Sequence, residues 1–280
     1  MIKINSELPN CMLGYNNHLN EYDFVLFHLY TTNKDYKDYY LKQRQLYPRR
    51  FMIFDNSAYE FYVKGETLNL TEFYEAICEL QPDVYILPDV LMDKEETLKG
   101  VTEFLDNFSL GITMNTKTTP KPLAVAQGNS SADLLDCLEK YKVLGITHIA
   151  LPFHNSFFKE MSVRVPGYIQ QPFVDKYGIV LTEDHMYAMG RVKFVRAHMD
   201  LLKSFEHVHF LGSHCPLEKI FYKDFHTMDT GYPVKCAVKG DRLFHEIGKP
   251  DVIIDEFLDI NLPSATQKLI KSNVLAFRNL

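Results

Sequence analysis

Short, continuously apolar runs alternate along the chain with longer stretches in which apolar residues recur every three or four positions. Apolar runs of this length are typical of strands that are buried on both faces, as in a parallel sheet. Seven runs are predicted to be strands: 24–27, 51–54, 84–87, 123–126, 148–151, 208–211 and 225–228. The run 12–15 is predicted to be an eighth strand.

Helical patterns with start and stop signals lie between these runs. Thr71 precedes an amphipathic stretch that Pro82 ends, and Ser130 precedes another that Gly145 closes. Two further segments are predicted to be helical: 184–203 and 264–277.

The alternation of about eight strands with helices favours an α/β fold, a (β/α)8 TIM-like barrel that forms a single catalytic domain over residues 1–280. An open doubly wound sheet is the alternative.

Residues 155–178 interrupt the alternation of strands and helices, since this segment has two prolines, two glycines and no clear hydrophobic period. A long irregular segment after a strand often covers an active site, so we predict an active-site loop here; a surface excursion without function is the alternative.

Composition narrows the class of protein. Hydrophobic residues make up 46% and charged residues 24% of the 280 residues, as in a packed globular domain. No apolar run approaches the roughly 18–20 residues that span a bilayer, and the N-terminus has no apolar signal core. We therefore expect a cytoplasmic protein without a membrane partner.

The cysteines and the net charge constrain the class of protein further. The five cysteines are odd in number and far apart, which argues against a disulfide framework and a cysteine-rich zinc site. The formal net charge of −6 does not by itself indicate a polyanionic partner, although local basic clusters can still bind one.

Polar residues follow four of the predicted strands directly. They are Asp55, Asp89, Gln127 and Asp229. A single aspartate after a strand is more often a helix cap or turn residue. In a barrel, however, the carboxyl ends of all strands meet at one mouth, so four such residues are expected to converge there.

The segments around these positions resemble a known family. D-N-S-A-Y-E at 55–60 resembles D-S-G-G-[YF]-Q, and V-A-Q-G at 125–128 resembles V-Q-G. L-G at 211–212 and M-D at 228–229 resemble an [LM]-G pair and a strand-terminal aspartate. In this order they resemble the tRNA-guanine transglycosylases, most closely the short phage branch that inserts 7-deazaguanines into DNA.

The resemblance implies base exchange through a covalent sugar–enzyme intermediate, without a cofactor. Asp229 is expected to attack C1′ of a guanosine and expel guanine. Asp55 is expected to act as general base on the incoming 7-deazaguanine. Asp89 would accept from the N1–H and amino group of guanine, and Gln127 would donate to O6 or N7.

Three further residues complete the base site that the resemblance implies. Tyr59 and Leu211 would sandwich the ring, next to Gly212; core packing is the alternative for both side chains. Glu60 stands where the family has glutamine. At 150–154, A-L-P-F-H replaces a glycine-rich segment whose backbone amide binds the base, and Pro152 has no N–H to donate.

The polymer substrate is predicted to be DNA. The family's C-x-C-x-x-C zinc site is absent from the sequence, which disfavours tRNA. Four basic residues are predicted to hold phosphates: Arg164, Lys235, Lys239 and Arg242.

No metal is expected, although a zinc site remains an alternative for one group of residues. These are His207, His209, His214, Cys215 and His226.

Three other functions remain open. They are exchange into tRNA, a barrel hydrolase or lyase acting on a free nucleoside or sugar, and a non-catalytic binding module. The oligomeric state is left undetermined.

Overall fold

The computed structural model of the protein describes residues 1–153, 156–161, 183–243 and 261–280. Its strands are β1 Lys3–Ser6, β2 Asp23–Leu26, β3 Met52–Asp55, β4 Val84–Ile86, β5 Lys121–Val125, β6 His148–Leu151, β7 His207–Phe210 and β8 Thr227–Thr230. These parallel strands form a nearly closed barrel with helices between them, in the order β1-β8-β7-β6-β5-β4-β3-β2. A doubly wound sheet would reverse its strand order at one point. The prediction of a (β/α)8 barrel is therefore confirmed.

Helices connect the strands. They are Asn16–Leu19, Phe27–Thr32, Lys34–Leu46, Ala58–Lys64, Leu70–Leu80, Lys94–Asn115, Ser131–Val143, Ser156–Met161, Glu183–Ala197, Met199–Lys203, Pro216–Phe221, Tyr232–Val238 and Ser264–Arg278. Within the described ranges, none of these helices has the length and apolar character needed to traverse a lipid bilayer.

One of the predicted strands is wrong. Residues 12–15 are not a strand, because Asn10–Tyr15 forms a 3-10 helix in which the N–H of Met12 donates to the carbonyl of Pro9. The first strand is instead Lys3–Ser6, whose polar residues gave no apolar run. It is nevertheless buried beyond its first residue. The side chain of Asn20 satisfies the buried backbone of Ser6 by accepting from its N–H and donating to its carbonyl.

Part of the segment predicted to be irregular, 155–178, is helical, while its predicted role as an active-site loop stays a prediction. Ser156–Met161 forms a helix, whose Phe157 and Phe158 rings contact Phe194 of the helix Glu183–Ala197. This aromatic contact supplies the packing that stabilises a short helix. The rest of the loop lies outside the described residues.

The chain divides into two compact units. The central unit comprises Tyr22–Leu151 and Phe205–His207, and the terminal unit comprises Met1–Glu21, Pro152–Ser204 and Val208–Leu280.

The central unit contains β2 to β6, each paired in parallel with the next. The core between this sheet and its helices is aromatic: the Phe27, Phe54, Phe73 and Phe104 rings are buried and lie 5.0–6.0 Å apart in successive contacts. Such close aromatic pairs add stability beyond the area they bury. This packing fixes β3 and β4, and with them the polar residues at their carboxyl ends.

Of two predicted helix starts in the central unit, the one at Ser130 agrees with the structure, whereas the one at Thr71 is wrong because Thr71 lies inside the helix. The Asn69 side chain accepts from the N–H groups of Thr71 and Glu72 and so caps the helix that begins at Leu70. Ser130 caps the helix Ser131–Val143 by accepting from the N–H of Asp133. The predicted start at Ser130 is therefore confirmed.

The terminal unit contains β1, β8 and all of β7 except its first residue, His207. Strand β8 pairs with β1 on one side, where Asn5 lies opposite Asp229, and with β7 on the other, where Phe210 lies opposite Met228. Strand β8 is buried along its whole length, like a central strand of a parallel sheet. Asp229 is consequently a buried carboxylate inside a strand.

Candidate active site

The strands place the four predicted polar residues near their carboxyl ends. Asp55 is the last residue of β3, Asp89 and Gln127 lie in the turns after β4 and β5, and Asp229 is the third residue of β8. Asp229 therefore lies within its strand instead of following it. This difference arises because the strand extends to Thr230, beyond the apolar run that predicted it.

A hydrogen-bonded carboxylate is the main feature of the site in the central unit. Asp89 accepts from Nδ2 of Asn56 through Oδ1 at 2.8 Å and from Nε2 of Gln127 through Oδ2 at 2.6 Å. Burial raises the pKa of the Asp89 carboxyl, while these two hydrogen bonds act in the opposite direction. The two donors fix the plane of the carboxylate, and each oxygen keeps a lone pair for a further donor.

Gln127 is held by both ends of its amide. Its Oε1 accepts from the N–H of Met92 at 3.0 Å, while its Nε2 donates to Asp89. This pair of contacts assigns the amide orientation, since a rotated amide would face the Met92 N–H with its own NH₂. Gln127 is 2% exposed, so these contacts lie in a desolvated environment. The structure thus brings Asp89 and Gln127 together, as the sequence predicted.

Gly128 is required directly after Gln127. Its φ is +148°, and a Cβ placed on it would lie 2.3 Å from the Cβ of Asp133 in the following helix. That helix approaches so closely because Asp133 accepts from the hydroxyl of Ser130 and from the N–H of Asn129. Glycine therefore permits the short turn that leads from Gln127 into the helix.

Asp55 is buried, with 8% of its surface exposed, and its Oδ2 accepts from the N–H of Ser57 at 2.8 Å. Ser57 has a left-handed backbone with φ of +59°, and its hydroxyl contacts Nδ1 of His28 at 2.9 Å. The hydroxyl of Ser57 also accepts from the N–H of His28. This turn orients the Asp55 carboxylate.

Sequence reasoning missed the roles of Asn56, Ser57 and His28. The D-N-S segment was recognised as a motif, but two of its residues were not expected to position aspartates. A polar pair directly after a strand-terminal aspartate was the available signal for Asn56 and Ser57. His28 lies 29 residues earlier in the chain, so its contact with Ser57 had no local signal.

Tyr59 lies in the first turn of the helix Ala58–Lys64 and is 43% exposed. It is therefore not a core residue, the alternative that the sequence left open. Partial burial and the neighbouring Glu60 raise the pKa of the Tyr59 phenol, which keeps it neutral. A neutral, half-exposed ring can stack on a planar ligand.

The site in the terminal unit is built around Asp229, which is 3% exposed. Its Oδ1 accepts from the N–H of Gly212 at 2.8 Å and contacts Nε2 of His209 at 3.1 Å. Nδ1 of His209 lies 2.8 Å from the hydroxyl of Thr227. If the hydroxyl donates to Nδ1, the neutral imidazole carries its proton on Nε2 and donates it to Asp229. Thr227 then determines the tautomer of His209.

Leu211 and Gly212 follow β7, and Gly212 has φ of +60°, in the left-handed region that favours glycine. Both residues are half-buried. The structure brings Gly212 into contact with Asp229, although the sequence predicted a role for Gly212 in base binding only. The sequence predicts a possible role for His209 only as a metal ligand. It does not predict the contact of His209 with Asp229 on the neighbouring strand.

The predicted phosphate-binding residues differ in accessibility. Lys239 and Arg242 are exposed, whereas Lys235 is buried at 7% exposure within the helix Tyr232–Val238. Lys235 therefore does not present its ammonium group freely at the surface. Arg164 lies outside the described residues.

The histidines considered for zinc have other contacts. His226 accepts from the N–H of Val208, His207 stacks on His148, and the ring of His214 packs against Phe153. Among the residues that the structure describes, no group of three or more metal-binding side chains occurs.

Compared with known proteins, the chain matches no protein-family model and no curated sequence.

Proposed function

We propose that this protein exchanges guanine in a nucleic acid for a 7-deazaguanine base, through a covalent aspartyl–sugar intermediate. The observation that carries the proposal is the Asp89 carboxylate, which Asn56 and Gln127 hold in a fixed orientation at the carboxyl ends of neighbouring strands. Side chains at this end of barrel strands are the usual source of catalytic and binding groups.

The chemistry of Asp89 fits the edge of a guanine ring. Guanine presents N1–H and an exocyclic amine side by side, and a carboxylate accepts from two such donors. The Asp89 oxygens each retain an acceptor site after binding Asn56 and Gln127. The amide nitrogen of Gln127 has a second hydrogen, which could be donated to O6 or N7 of the base. Tyr59, which is half-exposed in the same unit as Asp89, would then stack on a face of the ring.

Asp229 is proposed as the nucleophile. Both hydrogen bonds that the described residues make to its carboxylate end on Oδ1, so Oδ2 is the atom proposed to attack C1′. Attack forms an ester bond between Oδ2 and C1′ as the C1′–N9 bond breaks; the bonding electrons leave on N9 of guanine, which takes up a proton from solvent. Donors on Oδ1 orient the carboxylate and share its charge.

Asp55 is proposed as the general base of the second half-reaction. It would take the proton from N9 of the incoming 7-deazaguanine, which attacks C1′ and releases Asp229. Two inversions at C1′ give overall retention, as in a retaining glycosidase. The hydrogen bond from the Ser57 N–H to Oδ2 of Asp55 keeps the carboxylate oriented for this step.

The nucleic acid is proposed to be DNA. The resemblance of the 55–60 and 125–128 segments to the short DNA-modifying branch supports this choice, as does the absence from the sequence of the C-x-C-x-x-C pattern. Exposed Lys239 and Arg242 are the described residues proposed to contact phosphates.

The experiment that tests the proposal is incorporation of radiolabelled guanine. The protein is incubated with labelled guanine and, separately, duplex DNA, transfer RNA or guanosine, with Asp229→Asn as the matched control. Label in DNA with the wild type alone supports the proposal. Label only in transfer RNA would replace the polymer but keep the chemistry. Release of guanine from guanosine without incorporation into any polymer would favour a nucleoside hydrolase and reject the exchange reaction.

A further inference from the structure

Arg191 and Glu218 form an ion pair whose side chains are both wholly buried. Nε of Arg191 donates to Oε1 of Glu218 at 2.8 Å, and Nη2 donates to Oε2 at 3.0 Å. Glu218 also accepts from the hydroxyls of Ser213 and Tyr222. Such bidentate pairing holds a guanidinium in one plane and one position.

Two further guanidinium hydrogens bind one turn of the backbone. Nη1 donates to the carbonyl of Leu211 at 2.8 Å and Nη2 to the carbonyl of Gly212 at 2.6 Å. The rings of Phe153 and Phe210 lie 5.1 and 5.7 Å from the guanidinium carbon. Cation–π contacts at these distances stabilise the charged form of a guanidinium that is wholly buried. The turn after β7 is therefore attached to a rigid, buried cation.

The carbonyl of Leu211 and the N–H of Gly212 belong to one peptide group. A trans peptide is planar, and its C=O and N–H point in opposite directions. Arg191 binds the carbonyl end of this group, and Oδ1 of Asp229 accepts from its N–H end at 2.8 Å. Fixing the oxygen therefore fixes the direction of the N–H. Donation to the carbonyl also polarises the group and strengthens the bond that its N–H donates.

We propose that Arg191 and Glu218 are a positioning pair for Asp229, acting through the Leu211–Gly212 peptide. The pair touches neither base nor sugar; it sets the angle at which the Gly212 N–H meets the carboxylate and so keeps Oδ2 directed at C1′. The inference rests on the proposed role of Asp229 as nucleophile. Because a buried ion pair usually adds little net stability over an apolar pair of similar size, a purely structural role does not require these charges.

The first test compares turnover in Arg191→Lys with that of the wild type. Lysine keeps the positive charge but lacks the planar fork, so it cannot bind Glu218 and both carbonyls together. We expect kcat for guanine exchange to fall about 100-fold, as for other small displacements of reacting groups. KM should change little, since the base site around Asp89 is untouched.

A double variant and a matched control separate positioning from folding. Arg191→Met with Glu218→Met replaces the pair by apolar side chains that can keep the unit folded, yet it should lose turnover as severely as Arg191→Lys. The control is Arg50→Lys in the central unit, where Arg50 donates to Asp23 and to the carbonyl of Tyr22. It breaks a comparable arginine–carboxylate–carbonyl contact and should leave kcat near the wild-type value.

A readout independent of activity is the amide resonance of Gly212 in protein labelled with ¹⁵N-glycine. A hydrogen bond to a carboxylate shifts an amide proton downfield, so Asp229→Asn should identify the signal by moving it upfield. Arg191→Lys should move the same signal upfield, while Arg50→Lys should not. Unchanged turnover or an unmoved Gly212 signal in folded Arg191→Lys would overturn the proposal. If the wild type exchanges guanine into no polymer, the proposed function fails, and the Gly212 signal alone decides whether the pair positions Asp229.

Discussion

Nε2 of Gln127 donates a 2.6 Å hydrogen bond to Oδ2 of Asp89, and the same amide accepts from the backbone N–H of Met92 through Oε1. The glutamine cannot reverse its amide without losing both contacts. Its position as a donor to the carboxylate is therefore a fixed property of the site, and a test of the base-binding proposal can be built on it.

Gln127→Glu should weaken binding of a 7-deazaguanine base at neutral pH. The new carboxylate would face Asp89 across a desolvated contact, where juxtaposed like charges cost several kcal/mol. We expect the Kd measured by calorimetry to rise at least about 10-fold, equivalent to about 1.4 kcal/mol. The matched control is Gln81→Glu, which keeps the oxygen that accepts from the Lys117 N–H and lies at a helix end. Equal affinity of Gln127→Glu and wild type would remove Asp89 and Gln127 from the base site.

The affinity for a 7-deazaguanine base should also decrease at acid pH. Burial raises the pKa of the Asp89 carboxyl above its ordinary value. Only the ionised carboxylate accepts from both N1–H and the amino group of a guanine-like base. Affinity should be full at neutral pH and fall as the pH drops through the raised pKa, which is a higher pH than an exposed aspartate would require. Measuring Kd over a series of pH values tests this loss of affinity, which is the acid limb of the pH profile.

Asp89→Asn supplies the control for the acid limb. Asparagine has no carboxyl to titrate, so its affinity should be low and constant over the same pH range in which the wild type loses affinity. A wild-type Kd that stays constant until the protein unfolds in acid would contradict the assignment of Asp89.

Substitutions of the two aspartates that are proposed to be catalytic should block different steps of the exchange. Asp229→Asn removes the nucleophile, so neither exchange nor a covalent complex should form. Asp55→Asn keeps the nucleophile but lacks the general base for the incoming base, so a covalent complex with DNA should accumulate. Denaturing gel electrophoresis with end-labelled DNA separates these outcomes as a shifted band. A shifted band with Asp229→Asn, or its absence with Asp55→Asn despite DNA binding, would reverse or reject the roles.

Gly128→Ala should destabilise the central unit strongly. The new methyl group would lie 2.3 Å from the Cβ of Asp133, at a backbone φ of +148° that side chains rarely adopt. Backbone strain and overpacking together should lower the free energy of unfolding by about 3 kcal/mol or more. Urea denaturation followed by circular dichroism measures the change.

Gly145→Ala separates strain from collision in that measurement. Gly145 has φ of +72°, but a Cβ added to it meets nothing within 4 Å. Its cost should therefore be only the about 1–2 kcal/mol of a left-handed backbone. A loss in Gly128→Ala no larger than that in Gly145→Ala would show that the turn after Gln127 adapts to a side chain.

The elements that the sequence predicted correctly are those with strong local signals. The apolar runs marked β2 to β8 because both faces of these strands are buried, and Ser130 marked a helix start because its side chain caps the first turn. The search for apolar runs did not predict strand β1, because its residues Asn5 and Ser6 are polar although they are buried. Its burial depends on pairing with β8, more than 200 residues away in the chain.

The contacts around the site residues were less predictable than the residues themselves. Asp89 and Gln127 were expected together because both follow parallel strands. The contact of His209 with Asp229 depends on the register of β7 against β8, and the contact of Arg191 with Gly212 depends on how a helix packs on the turn after β7. Register and packing are set by tertiary structure, so single-sequence patterns did not reveal them.

The polymer substrate gives the most demanding prediction: DNA, with the target guanine extruded from the duplex. Asp229, the proposed nucleophile, is 3% exposed within its strand and cannot reach C1′ of a stacked and paired nucleotide. Extrusion costs a few kcal/mol, which contacts to flanking phosphates must offset. Mismatched and single-stranded guanines, which need less unpairing, should therefore react at least as fast as paired ones.

Salt dependence tests the phosphate contacts behind this prediction. Each neutralised phosphate releases counterions, so DNA affinity should fall steeply with salt. Lys239→Ala and Arg242→Ala, which remove exposed charges, should each reduce the slope of log K against log salt by about one. Lys99→Ala, an exposed lysine on the helix Lys94–Asn115, should leave it unchanged. Binding measured by fluorescence anisotropy that does not respond to salt, or paired guanines that react faster than unpaired ones, would exclude extrusion from a phosphate-anchored duplex.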